Sequence, residues 1–252
     1  MRRYSFSMWW CTFASVCLSL FASMAFAWTP LEPETLNFRV SWGPLNVGKA
    51  TFRYLPPPAP HKPYTITVTA RDTSALMEMD NRWEATGIHP HARKGTFFAS
   101  RSYHALQKEN DYRADKIVTF NTTSKTIVYT NNRDASDVAP PVPWDGNMRD
   151  VLSALYDMRT LSANDLATGG TLRVMGPKRP FNLIRSAAIS ETLILQGIPT
   201  AVWRVSLKTQ DINGKFGKGA WIVKLQQNAN MLTPVQIIAQ TAFGTFTATR
   251  KN

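Results

Sequence analysis

Apolar and polar residues alternate with a period of two along most of this chain, so strand after strand is expected with one face toward a core and one toward water. Leu36, Phe38, Val40 and Trp42 share one phase. Gly43-Pro44 breaks that run, and Val47-Gly48 leads into Ala50, Phe52 and Tyr54, the pattern of a hairpin. After a rigid excursion, Pro56-Pro57-Pro58-Ala59-Pro60, the alternation resumes at Tyr64, Ile66, Val68 and Ala70. Further strands are predicted at 96–105, 116–121, 126–130, 171–176, 181–187, 188–196, 201–209, 219–226, 234–242 and 245–250. Among the later ones, Trp203, Val205 and Leu207 run up to a turn containing Asn213, Gly214 and Gly217, and Trp221, Val223 and Leu225 run away from it. So many consecutive strands with short turns predict a mainly β fold. A long curved antiparallel sheet would close as a barrel, sandwich or spiral to hide its edges.

One central helix is predicted at about 146–161 (GNMRDVLSALYDMRTL), entered from a strap, Pro140-Pro141-Val142-Pro143-Trp144. At about 100° per residue, Arg149, Asp150, Ser153 and Asp157 gather on one arc, read as the wet face. Val151, Leu152, Ala154, Leu155, Tyr156 and Met158 fill the other, and Arg159 falls in the middle of that apolar arc. A guanidinium aimed at a core needs a partner. Glu191, in phase with Ile189, Leu193 and Leu195, is the expected one, in a bidentate pair that locks the helix onto the second half of the sheet. Alternatively the pair belongs to a ligand site in which Arg159 grips an anionic headgroup, or Arg159 caps the last helical turn and snorkels.

The N-terminus changes the picture. Arg2 and Arg3 precede an apolar run from Met8 to Met24, followed by Ala25-Phe26-Ala27. That order predicts a secretory signal cleaved after Ala27, against the alternative of an uncleaved membrane anchor. Charges and prolines interrupt every later apolar stretch, so residues 28–252 are expected to form a single β-rich periplasmic domain with no transmembrane segment. Both cysteines, Cys11 and Cys17, fall within the signal, which leaves the domain without disulfide or thiolate chemistry. Val16 before Cys17 argues against lipid attachment there.

Without Arg2 and Arg3, 27 basic residues face 17 acids. A basic envelope protein is drawn to the phosphates and carboxylates of lipid headgroups, lipopolysaccharide or peptidoglycan, while export makes nucleic acid an improbable partner. A scattered positive surface that serves solubility is the plainer reading of the same surplus.

Several landmarks resemble a known family. They are Val40 to Ala50 (VSWGPLNVGKA), Met79-Asp80-Asn81-Arg82, Asp150 to Arg159 (DVLSALYDMR), Glu191 with Leu193 and Gly197, and Trp221-Ile222 ahead of Pro234-Val235. In these the chain is similar to the bacterial exported proteins grouped as domain of unknown function 3108, and the D-x-x-S-A-L-Y-x-x-R segment is the most specific of them. The resemblance covers nearly all of the mature chain. It implies an exported, mainly antiparallel β protein without an established catalytic mechanism. Where that family usually carries an Asp after the penultimate strand, this chain has Gln227, Asn228 and Asn230.

Candidate chemistry is sparse. Asp80 and Arg82, flanked by Met77, Met79 and Trp83, suggest a cross-strand charge pair or part of a site. His89-Pro90-His91, with Glu84 or Asp80 as a third ligand, lacks a fourth, so no metal and no cofactor is expected. His61 and His104 read as surface groups. There is no G-x-S-x-G elbow and no S-x-x-K with K-T-G, and Ser153 has no histidine nearby in sequence. The leading expectation is a non-enzymatic envelope protein that binds a lipid or other amphiphile on or inside its sheet, or acts as a scaffold. Six tryptophans outside the signal, Trp221 among them, suit that role. The alternatives are an envelope hydrolase or glycan-modifying enzyme using Asp80, Asp150 and Glu191, and a protein partner docking through 56–60 and 140–143.

Overall fold

The computed structural model describes residues 32–59, 61–72, 78–89, 98–228, 231–241 and 244–251, so the signal expected at 1–27 lies outside the described residues. Residues 32–252 form one compact unit. A first meander comprises β1 (Glu34–Trp42), β2 (Leu45–Leu55), β3 (Tyr64–Asp72), β4 (Asp80–Ile88), β5 (Ala99–Glu109), β6 (Tyr112–Asn121), β7 (Thr126–Asn131) and the short β8 (Val142–Pro143). The middle of the chain holds β9 (Arg149–Asp150), α1 (Val151–Asp157), a 3-10 turn (Met158–Thr160) and α2 (Ala163–Thr168). A second meander follows as β10 (Gly170–Met175), β11 (Pro180–Arg185), β12 (Ile189–Leu195), β13 (Ile198–Asp211), β14 (Phe216–Asn228), β15 (Met231–Thr241) and β16 (Gly244–Lys251).

The sixteen strands of the described residues belong to one sheet, in the order β8-β7-β6-β5-β4-β3-β2-β1-β16-β15-β14-β13-β11-β10-β9, with β12 branching from β13. The two meanders join where β1 pairs antiparallel with β16, Trp42 opposite Phe246. Apart from the parallel β9–β10 pair, the pairings are antiparallel. Among the described residues the sheet has two ends and no closing ladder, yet it curls. Ten steps separate β5 from β10 in the order, about 48 Å if flat, while Asp150, which pairs with β10, also bonds Ser100 of β5. The loop after β7 and the β10–β11 turn are clasped by an ion pair of Asp137 with Lys178. Of the three closures left open by the sequence, the fold is therefore an unclosed, barrel-like curl around α1.

The alternation places the strands well. Leu36, Phe38 and Ala50 form one buried cluster, and Val205, Leu207, Val223, Leu225 and Leu232 pack with Met158 and Leu166 in another. Gly43, at φ +55°, supplies the positive φ that the β1–β2 hairpin needs ahead of Pro44. Trp203, Val205 and Leu207 face Leu225, Val223 and Trp221 as the pattern predicts.

Three expectations are corrected. The helix is shorter than 146–161, because Asp150 stays extended as its N-cap and Arg149–Asp150 pair with β10 as a strand. β4 is an additional strand, hidden in the sequence by its many polar residues. α2 is an additional helix, and its capping box of Ser162 and Asp165 is legible in the sequence as S-x-x-D.

Candidate functional site

The arc of α1 expected to meet water is buried. Arg149, Asp150, Ser153 and Asp157 all face the enclosed side, because α1 lies inside the curl, against β4, β9 and β10. Asp150 is wholly buried and caps the helix by accepting from the Ser153 N–H at 2.9 Å. Its Oδ2 accepts from the Ser100 and Ser153 hydroxyls, each at 2.5 Å, and its own N–H donates to Ser100 Oγ. Since the single Ser153 hydroxyl proton is spent on Asp150, the 2.7 Å contact between Tyr64 and Ser153 has Tyr64 as donor. Burial pushes the Asp150 carboxyl above its usual range although these hydrogen bonds pull it down, and burial likewise holds the Tyr64 phenol well above 10. The chain Tyr64–Ser153–Asp150 is thus a buried brace, with all three side chains withdrawn from solvent.

Around it, Tyr54, Tyr64, His89, Phe98 and Tyr156 pack edge-to-face or tilted, with ring centroids 4.9–6.5 Å apart. His89 Nε2 meets the Tyr54 hydroxyl at 2.9 Å, while Pro90 and His91 lie outside the described residues. Asp157 accepts from the Phe98 N–H at 2.9 Å and sits 3.4 Å from Arg149 Nε.

Arg159 points inward as expected and is bidentate as expected, but its partner is not Glu191. Its guanidinium grips Glu34 of β1 at 2.5 and 2.9 Å, donates from Nε to the Leu232 carbonyl of β15 at 3.0 Å, and lies 4.9 Å from the Tyr156 ring centroid. Glu191 instead engages Lys224 at 2.9 Å and Arg204 at 3.5 Å. The reason is topological. β12 branches off β13 and pairs with 198–204, whereas β15 runs beneath the 3-10 turn and β1 presents Glu34 to it. Glu34 shares the phase of Leu36 and Phe38, an acid on an apolar phase, and that signal was available one turn of alternation before the expected strand start.

Asp80 and Arg82 stand on the outer face and do not pair with each other. Asp80 meets Arg71, its cross-strand neighbour, at 3.0 Å, and Arg82 meets Glu84 at 2.6 Å. They line a depression of about 390 Å³ with Leu106, Lys108, Arg113 and Arg133. The carboxylates Asp80, Asp150 and Glu191 therefore do not converge. One is outside, one is sealed within, and one is ion-paired on the other meander.

The helix fills one end of the curl, the end of Glu34, Tyr54 and Tyr156. At the other end the inner face is open and apolar. Trp221, Ala239, Phe246, Trp42 and Leu45 stand directly opposite one another from β14 across β15, β16 and β1 to β2, and so share one face, with the buried Leu207 of β13 closing the row opposite Trp221. That face is the inner one, since Trp42 is in phase with Phe38 and Glu34, and Trp221 with Val223 and Leu225. Trp42 and Phe246 stack with centroids 6.2 Å apart. Trp42, Leu45 and Trp221 are 42%, 52% and 46% exposed, so the inward apolar row meets solvent. Behind it Val223, Ile237, Ala248 and Val40 form a second directly paired row.

The pattern of strands around a D-x-x-S-A-L-Y-x-x-R helix is now tied to a structure, and a family model described as protein of unknown function (DUF3108) matches residues 37–251. The chain belongs to that family. In this DUF3108 member the four lettered polar positions of the helix motif, Asp150, Ser153, Tyr156 and Arg159, are the side chains that build the sealed end. A similar solved structure is a crystal structure from Brucella abortus of a β-barrel-like protein of domain of unknown function DUF1849. It matches with a TM-score of 0.55 at 7% identity, over 89% of this chain and 98% of that one, a likeness of fold. No curated protein matches the DUF3108 chain. Among the described residues no helix is long and apolar enough to cross a membrane.

Proposed function

We propose that this DUF3108 protein is an exported, non-enzymatic protein of the cell envelope that holds the apolar part of an amphiphile against the inner face of its open end. The observation that carries this reading is the paired row Trp221, Ala239, Phe246, Trp42 and Leu45, inward-facing yet in contact with solvent. Five strands at about 4.8 Å spacing give it a width of about 20 Å, enough for an acyl chain laid across the strands. Flat aromatic walls with few polar groups suit an apolar ligand. The sealed hydroxyl–carboxylate chain and the dispersed acids supply no substrate-facing catalytic pair, which supports binding over hydrolysis. The signal-like N-terminus and the basic surface support the envelope as its place of work.

Native mass spectrometry of residues 28–252 purified gently from the periplasm, followed by lipid extraction, tests the reading. The expected result is a stoichiometric amphiphile, lost in Trp42→Ser/Leu45→Ser with an unchanged circular dichroism spectrum. An apo mass that stays unchanged after incubation with envelope lipids would overturn it in favour of a scaffold.

A further inference from the structure

Besides the inner row, the outer face carries a pattern that the fold itself does not need. Directly opposite one another from β13 to β4 stand Arg204, Lys224, Gln236, Thr249, Arg39, Lys49, Arg71 and Asp80. Arg39, Lys49 and Arg71 are consecutive, exposed, and like-charged at direct cross-strand positions, an arrangement that destabilises a sheet. Arg204 and Lys224 share Glu191, and Asp80 is the carboxylate at Arg71. Among the described residues no carboxylate pairs with Arg39 or Lys49. The belt continues past Arg71 into the outer depression, where Lys108 stands directly opposite Arg113 and the two share Glu78. Exposed ion pairs of this kind are weak and exchangeable.

The belt runs parallel to the open rim. Arg39 is three residues from Trp42, about 10 Å along the strand. The strand ends and turns at that same end carry further exposed apolar side chains, Tyr112, Ile212 and Phe216. A rim of exposed apolar side chains with a band of cations about 10 Å behind it matches the depth over which interfacial proteins sit in the headgroup–acyl boundary, and the reach of an anionic surface potential at physiological salt. We propose that the open end docks on an anionic lipid bilayer, its apolar rim in the interface and the Arg39–Lys49–Arg71 belt over the headgroups. This goes beyond ligand holding and does not depend on it, since the belt lies on the outer face and the rim turns project past the inner row.

The test is flotation of residues 28–252 with two sets of vesicles, phosphatidylcholine alone and phosphatidylcholine with one-third phosphatidylglycerol, at low and high salt. Binding is expected only to the second set and is expected to fall with salt. Arg39→Gln/Lys49→Gln relieves a like-charge pair, so it is expected to keep or raise the melting temperature while weakening vesicle binding about 25-fold, at about fivefold per charge. Ile212→Ser/Phe216→Ser is expected to weaken it at unchanged salt dependence. Equal binding to both vesicle sets, binding to neither, or undiminished binding by the charge variant would overturn the proposal. So would pelleting with purified peptidoglycan but not floating with vesicles. None of these outcomes bears on whether a lipid co-purifies, so the two readings fail separately.

Discussion

At the scale of single residues, Asp150 sets the character of the closed end. Its carboxylate satisfies two hydroxyls and a helix N-terminus, so Asp150→Ala, which leaves those donors without an acceptor and removes the cap, is expected to cost about 2–3 kcal/mol in urea denaturation. Asp150→Asn keeps an acceptor at the cap and removes the buried charge, and is expected to cost less. The two proteins should also differ in their pH dependence. Burial raises the folded-state pKa of Asp150 above its unfolded value, so the folded state binds the proton more tightly. The stability this contributes is present below about pH 3.9, the unfolded value, and drains away as pH rises toward the folded value. The stability of wild type relative to Asp150→Asn should therefore decline as pH rises from about 4. A difference that grows with pH would show that the hydrogen bonds outweigh burial.

At the scale of elements, the 3-10 turn is bolted to both meanders at once, since Arg159 reaches β1 through Glu34 and β15 through the Leu232 carbonyl. Arg159→Ala strands an acid beside the core and is expected to destabilise by about 3 kcal/mol. In a double-mutant cycle, Arg159 and Glu34 should couple by more than 1 kcal/mol, while Arg159 and Glu191 should show none. What the sequence discloses here divides along physical lines. Period-two alternation reports which face of a strand is covered, and it placed Trp203–Leu207 against Trp221–Leu225 in the observed phase. It is silent for β4, where Asn81 turns inward and is satisfied there, donating to Glu109 at 2.5 Å and accepting from the Lys108 N–H. A helical wheel assumes that polar means wet, and α1 breaks that assumption because Ser100, Tyr64 and the Phe98 N–H arrive from β3–β5 to satisfy its polar arc. The need for a partner at Arg159 was legible from its place on the wheel. Its identity depended on which strand passes beneath the turn, a long-range pairing that alternation leaves open.

At the scale of the whole molecule, one end of the curl is packed with aromatic rings and hydrogen bonds and the other is apolar and open, so stability and binding are assigned to opposite ends. Substitutions at Trp42 or Trp221 should then alter ligand or surface binding with a melting temperature within about 2 °C of wild type, because exposed positions outside packed cores contribute little. Substitutions at Tyr54 or Tyr64 should do the reverse, and differential scanning fluorimetry beside a lipid-binding assay separates the two groups. Deleting residues 244–251 removes β16 and bares the edges of β1 and β15. Aggregated material in the void volume in size-exclusion chromatography is the expected result, since bare edges recruit other chains.

The β1–β16 seam also imposes a schedule on the newborn chain. β1 ends at Trp42 and its partner begins at Gly244, so the first strand made must wait for the last. Whether the chain emerges from a ribosome or across a membrane, it is delivered from its N-terminal end, so β1 keeps one margin bare until β16 arrives. A sheet whose first and last strands are neighbours cannot be finished piecemeal, and its maturation is timed by the delivery of its final residues.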